Sequence, residues 1–151
     1  MSQRISTPCV GVCSTTVGDA VCRGCQRHLD EIRDWFGYDE AERRRRIGEL
    51  DALRVQAAAS LLRVDDEALL NAQLARHSIR VRPEQPPLSR AVELLRVGRE
   101  RIQDLSRYGL ARQGAGLGLT PPQLFAKLSD ALALAGQARI APMITDSHHS
   151  G

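Results

Sequence analysis

The sequence predicts an all-α fold headed by a small four-cysteine knuckle, with a helical hairpin next and a further helical region after it. Three observations point that way. After residue 25, apolar residues recur at spacings of three and four, the period of one helix face. No alternating β pattern persists outside short pieces around the cysteines. All four cysteines, Cys9, Cys13, Cys22 and Cys25, fall within "PCVGVCSTTVGDAVCRGC". The expected organisation is a knuckle with two helices over 7–62, then a helical extension and the start of a proline-rich linker over 63–82. A C-terminal helical region follows over 83–140, and a disordered tail over 141–151.

Composition sets outer limits. Hydrophobic residues are 42% and charged residues 26%, ordinary values for a soluble chain. Aromatics are only 3%, so a core must be built from Leu, Ala, Val and Ile. Twenty-one basic residues against 18 acidic ones leave +3, too even to mark nucleic acid as a partner. The start, "MSQRISTPCVGVC", lacks the apolar run of a signal peptide, and nothing approaches the ~20 apolar residues of a membrane span. The expectation is a cytoplasmic protein with no membrane association.

Cysteine spacing carries the chemistry. The pattern is C-x3-C, eight residues, then C-x2-C. A reducing compartment disfavours two disulfides and favours a four-sulfur metal site. Gly11 and Gly24 lie inside the two pairs, where sharp turns aim amide N–H groups at sulfur. Gly18 and Asp19 suit the loop between the pairs. A helix is expected to begin at Cys25, placing its thiolate at the positive helix end. Four thiolates around a divalent ion carry about −2, which Arg23 and Arg27 can offset. Zinc accepts two close thiolate pairs, whereas common iron–sulfur runs are spaced differently. Spacing therefore favours zinc, with an iron–sulfur cluster as the alternative.

"PCVGVC" followed by "CRGCQRHLDEIRDWFGYDEAERRRRIGEL" closely resembles the bacterial domain of unknown function 1289 family over about residues 7–50. Members of that family are labelled predicted iron–sulfur proteins. The resemblance implies Cys9, Cys13, Cys22 and Cys25 as the ligand positions, and it implies no reaction. Beyond about Leu50 it says nothing.

The helices follow in order. "QRHLDEIRDWF" places Leu29, Ile32 and Phe36 on one face, with Trp35 beside it. Gly37 ends that segment. Asp39 caps a second helix, with Ile47, Leu50, Leu53, Ala57 and Leu61 as its stripe and Trp35, Phe36 and Tyr38 at the joint. The run Arg43 to Arg46 points in four directions and is balanced by Asp39, Glu40 and Glu42, so a solvated helix face is expected. Asp65 or Asp66 starts the next helix, with Leu69, Ala72 and Leu74 as apolar positions. "RVRPEQPPLS" interrupts it. Ser89 is expected to cap a helix lined by Ala91, Leu94, Leu95, Gly98, Ile102 and Leu105. "GLARQGAGLGL" reads as a loop. "TPPQ", Thr120 to Gln123, opens a helix with Leu124, Leu128, Leu132 and Ala135 on one face.

No catalytic set assembles. His28 can substitute for a thiolate, but a solvent-facing role is favoured. His77 sits at a helix end, and His148 and His149 lie in the tail. Four metal-bound sulfurs leave no free nucleophile and no open position. The expected function is a non-enzymatic adaptor or regulatory protein whose metal stabilises a helical module. A protein partner or self-association through the leucine- and alanine-rich C-terminal helices is expected. An iron–sulfur protein in electron transfer or redox sensing is the alternative, with a thiol–disulfide protein ranked third.

Overall fold

The computed structural model describes residues 21–22 and 25–149, excepting the side chains of 140–149. Cys9, Cys13, residues 14–20 of the loop joining the two cysteine pairs, Arg23 and Gly24 lie outside these residues, as do the last two residues of the expected tail. The fold is mostly helical, as expected, with five α-helices and one small sheet among the described residues. The helices are α1 (Leu29–Asp34), α2 (Glu40–Ala59), α3 (Glu67–Arg76), α4 (Pro87–Gly98) and α5 (Pro121–His149). Strands β1 (Leu62–Val64) and β2 (Leu110–Arg112) form an antiparallel pair in the register Leu62 to Arg112, Arg63 to Ala111 and Val64 to Leu110. The helix of 121–149 thus continues over residues whose polarity suggested a tail.

The described residues divide into two compact units. One contains the residues up to Leu53 and those from Ala131 onward; the other is Arg54–Asp130.

Several helix starts are those the sequence predicts. Asp39 Oδ1 accepts the Glu42 N–H at 2.7 Å, opening α2. Asp66 caps α3 through Leu69 N–H at 3.0 Å. At α5, Thr120 N–H donates to Gln123 Oε1 at 2.9 Å and Gln123 N–H to Thr120 Oγ1 at 3.3 Å, a reciprocal capping box.

In the 54–130 unit α4 packs against β1 and α3. Leu62, Leu70, Leu74, Leu94, Leu95, Leu105, Leu110, Leu124 and Leu128 are all buried, making the leucine-built core that scarce aromatics dictate. A buried ion pair is set among them: Arg54 Nη1 lies 3.1 Å from Glu93 Oε1. Gly109, at φ +74°, takes a left-handed turn into β2. A side chain there would collide with the Asp66 carbonyl.

Three expectations need correction here. Ser89 does not cap α4. The helix starts three residues earlier, with Pro86 at the cap and Pro87 at the first turn, where a missing N–H costs nothing. Ser89 is buried inside the helix, and its hydroxyl accepts from Gln85 Nε2 at 2.9 Å. The expectation of no strands beyond the cysteine region also fails, because β2 occupies the first part of "GLARQGAGLGL". Two three-residue strands are too short for an alternation to register.

The third correction concerns α1. Leu29 and Phe36 are exposed, while Glu31 and Trp35 are buried. The inward face is therefore polar-aromatic rather than the apolar stripe predicted. Trp35 and Tyr38 do meet at the turn before α2, edge to face, with centroids 6.1 Å apart.

Candidate metal centre

The second cysteine pair sits in a short hairpin turn. Val21 and His28 form an antiparallel bridge at its open end. Inside it, Cys22 N–H donates to Arg27 O and Gln26 N–H to Cys22 O, both at 2.8 Å. Gln26 takes φ +65°, a left-handed conformation costing a non-glycine residue roughly 1–2 kcal/mol. Such strain at a non-glycine position is typical of places where chain geometry serves a site. Helix α1 begins only at Leu29, so Cys25 is not at a helix N-terminus as expected. A neighbouring cation stands at the Cys25 sulfur instead of the helix dipole foreseen there.

That cation is Arg27. It is buried, and its Nε–H donates to Cys25 Sγ at 3.3 Å. Its guanidinium carbon lies 4.9 Å from the centroid of the Trp35 ring. Arg27 is thus held between a sulfur and an indole face, and it is one of the two arginines the sequence assigns to charge compensation. Cys22 and Cys25 are both buried, at 1% exposure. A hydrogen bond with Cys22 and burial push the Cys25 thiol up, against the pull of Arg27. These features fit a thiolate-bound metal: two adjacent sulfurs out of solvent, and one cation in place for the charge that deprotonation creates. Among the described residues no cluster of three or more metal-binding side chains occurs. The site therefore turns on joining Cys22 and Cys25 with Cys9 and Cys13, which lie outside them.

His28 is not solvent-facing, which corrects the reading from sequence. It is 5% exposed and caps α1. Its Nδ1 accepts the Glu31 N–H at 3.2 Å, and its own N–H donates to Glu31 Oε1 at 3.2 Å. Accepting at Nδ1 places the neutral ring's proton on Nε2, a buried atom with no hydrogen-bond partner among the described residues and with Glu31 Oε1 3.5 Å away. Burial pushes the His28 pKa down.

Glu31, with no exposed surface, anchors the far side. Arg46 Nη1 lies 2.8 Å from its Oε2. Arg139 of α5, 108 positions along the chain, grips both oxygens at 2.5 and 2.8 Å. Arg139 also reaches Glu49 Oε1 at 3.0 Å. Burial raises the Glu31 pKa, but the hydrogen bonds from Arg139 and Arg46 outweigh it and hold it at about 2. Nothing in the sequence flags this cluster; a glutamate in a predicted helix and an arginine near the other end carry no spacing signal.

Of the Arg43 to Arg46 run, Arg44 and Arg45 are solvated as expected, whereas Arg43 and Arg46 are half-buried and Arg46 turns in onto Glu31. Arg44 pairs with Glu40 at 2.8 Å, and Arg45 with Glu42 and Glu49 at 2.5 and 2.6 Å. Arg43 donates to the carbonyls of Trp35 and Tyr38.

Residues 7–54 match the model of a protein family of unknown function, DUF1289. The match covers residues 7–54 of the 151, less than half of the chain. The DUF1289 segment holds all four cysteines, Arg27, His28, Glu31 and Arg46, whereas Arg139 lies far outside it. No curated protein and no solved structure matches the chain. No helix among the described residues is long and apolar enough to cross a membrane.

Proposed function

We propose that this chain is a cytoplasmic metal-binding protein whose four-thiolate site, Cys9, Cys13, Cys22 and Cys25, holds zinc and stabilises the helical module of residues 21–53. The supporting observation is the buried Cys22–Cys25 pair with Arg27 Nε–H on the Cys25 sulfur. Zinc in such a site supplies folding energy and rigid geometry, with no open coordination position for a reaction. The chain's own residues do the rest: two backbone hydrogen bonds of the turn fix Cys22, Arg27 holds the Cys25 sulfur and offsets thiolate charge, and the thiol protons leave on binding. With four filled positions, the role is that of a non-enzymatic adaptor or regulatory protein, acting through a protein partner or self-association.

An iron–sulfur cluster in electron transfer or redox sensing is the second reading, favoured by one feature. A buried N–H···S bond from a cation is a contact that tunes cluster potentials. Elemental analysis and a visible spectrum of protein purified without oxygen separate the two. About one zinc per chain and no visible bands is the expected result. Iron with sulfide and a brown colour replaces zinc by the cluster. Absence of both sinks the four-thiolate site. The Cys22→Ser chain should lose most of its metal; full retention would remove Cys22 from the ligand set.

A further inference from the structure

We propose that α5 is a working part of the metal centre: Gly136 and Arg139 are positioning residues that hold the Cys22–Cys25 turn from outside the family segment. The inference rests on the metal reading above. Helix α5 meets the turn in two places, by different physical means.

Against Val21 and Gln26 the means is shape. A side-chain carbon at Gly136 would stand 2.8 Å from Val21 Cγ1, closer than carbon atoms approach, and 3.8 Å from Gln26 Cβ. Only a bare helix surface lets Val21 and Gln26 lie against α5. Val21 is β-branched and cannot swing aside cheaply. Gln26 is the residue in the strained left-handed conformation, so packing that holds it in place matters more than at a relaxed position.

At His28 the means is charge. Arg139 fixes the Glu31 carboxylate with two bonds, at 2.5 and 2.8 Å. Glu31 Oε1 in turn accepts the His28 N–H at 3.2 Å. His28 is the residue bridged to Val21, and that bridge closes the loop containing both cysteines. The path from α5 to Val21, the neighbour of Cys22, is therefore three short links through Glu31 and His28, beside direct packing on Val21 and Gln26. Partners that orient ligands typically change metal affinity 10–100-fold when lost.

Cobalt(II) and zinc(II) competition titrations on the full chain test this, with amide exchange of the metal-free chain as a second readout. Arg139→Gln should weaken cobalt binding by roughly 10-fold or more, and Arg139→Lys should recover part of the loss. Gly136→Ala is diagnostic because alanine favours a helix by about 1 kcal/mol. If α5 is only a helix, this change is neutral or stabilising and metal affinity is unaltered. If α5 holds the turn, affinity falls although helicity does not. Leu134→Ala, at a position 70% exposed on the same helix, should leave binding unchanged.

In the metal-free chain the Cys22 and Gln26 amides should lose protection in Arg139→Gln and Gly136→Ala. Wild-type affinity and wild-type protection in both variants would overturn the proposal. Failure of the unaltered chain to bind cobalt or zinc would sink the zinc reading alone, and the exchange result would then decide the positioning role. Should Arg139→Gln not fold, Arg139→Lys and Gly136→Ala carry the same comparison.

Discussion

Glu31 has no exposed surface, yet it belongs to a helix of only six residues. An isolated helix of that length does not form in water. The side chain must be ionised for its two arginines to be satisfied, and the sign of its pH dependence follows. Its pKa is held at about 2 against an ordinary 4.5, so its contribution is complete above about pH 5 and is lost as pH falls towards 2. His28 adds in the same direction. Burial pushes its pKa below the ordinary 6.5, so the unfolded chain takes up that proton first and stability begins to fall below about pH 6.5. Thermal midpoints measured from pH 7 to 2 should therefore fall in two stages. In Glu31→Gln the stage between pH 5 and 2 should shrink. At pH 7 that variant should be about 3 kcal/mol less stable, because two partly buried arginines each lose a charged partner. An unchanged acid limb would mean that Glu31 is not the group responsible.

Helix α1 shows at the scale of one element what sequence patterning can and cannot reveal. The caps at Asp39, Asp66 and Thr120 were legible because a side-chain oxygen three residues before an amide is a local, spacing-determined event. The leucine faces of α4 and α5 were legible because their partners are apolar too. On α1 the rule misleads, since its buried face is formed by Glu31 and Trp35, partnered by arginines from α2, α5 and the turn. Spacing marked Leu29 and Phe36 for the core, and they are 50% and 73% exposed. Arg27 was legible as a charge near the sulfurs, and its place between Cys25 and Trp35 was not. Burial of Cys22 and Cys25 fits the metal-ligand reading, whereas Arg139 could not be found without the fold. The same contrast gives a direct test by chemical denaturation. Trp35→Ala should cost about 3–5 kcal/mol, as removal of a large buried ring does. Phe36→Ala should cost less than about 0.5 kcal/mol. Equal losses would restore the apolar-stripe reading of α1.

Across the whole molecule, the two units differ in what supports them. Arg54–Asp130 has a continuous leucine core, a strand pair and a buried Arg54–Glu93 pair, and no cysteine. The other unit has few large buried apolar side chains among its described residues: Val21, Trp35, Ile47, Leu50 and Leu132 beside its two buried cysteines. A metal bound to the folded form alone, as proposed, would add its binding energy to the stability of this unit. Removal of metal by a chelator should then act locally. Amide exchange should rise at Cys22, Gln26 and Ile32 and in the residues of α5 from Ala131 to Arg139, while the β1–β2 amides keep their protection. The far part of α5 is included because its Arg139 is anchored on Glu31, which loses its fixed place once the turn loosens. A uniform rise across both units would mean that the metal supports the chain globally. A rise confined to residues 21–53 would mean that α5 does not share in the site.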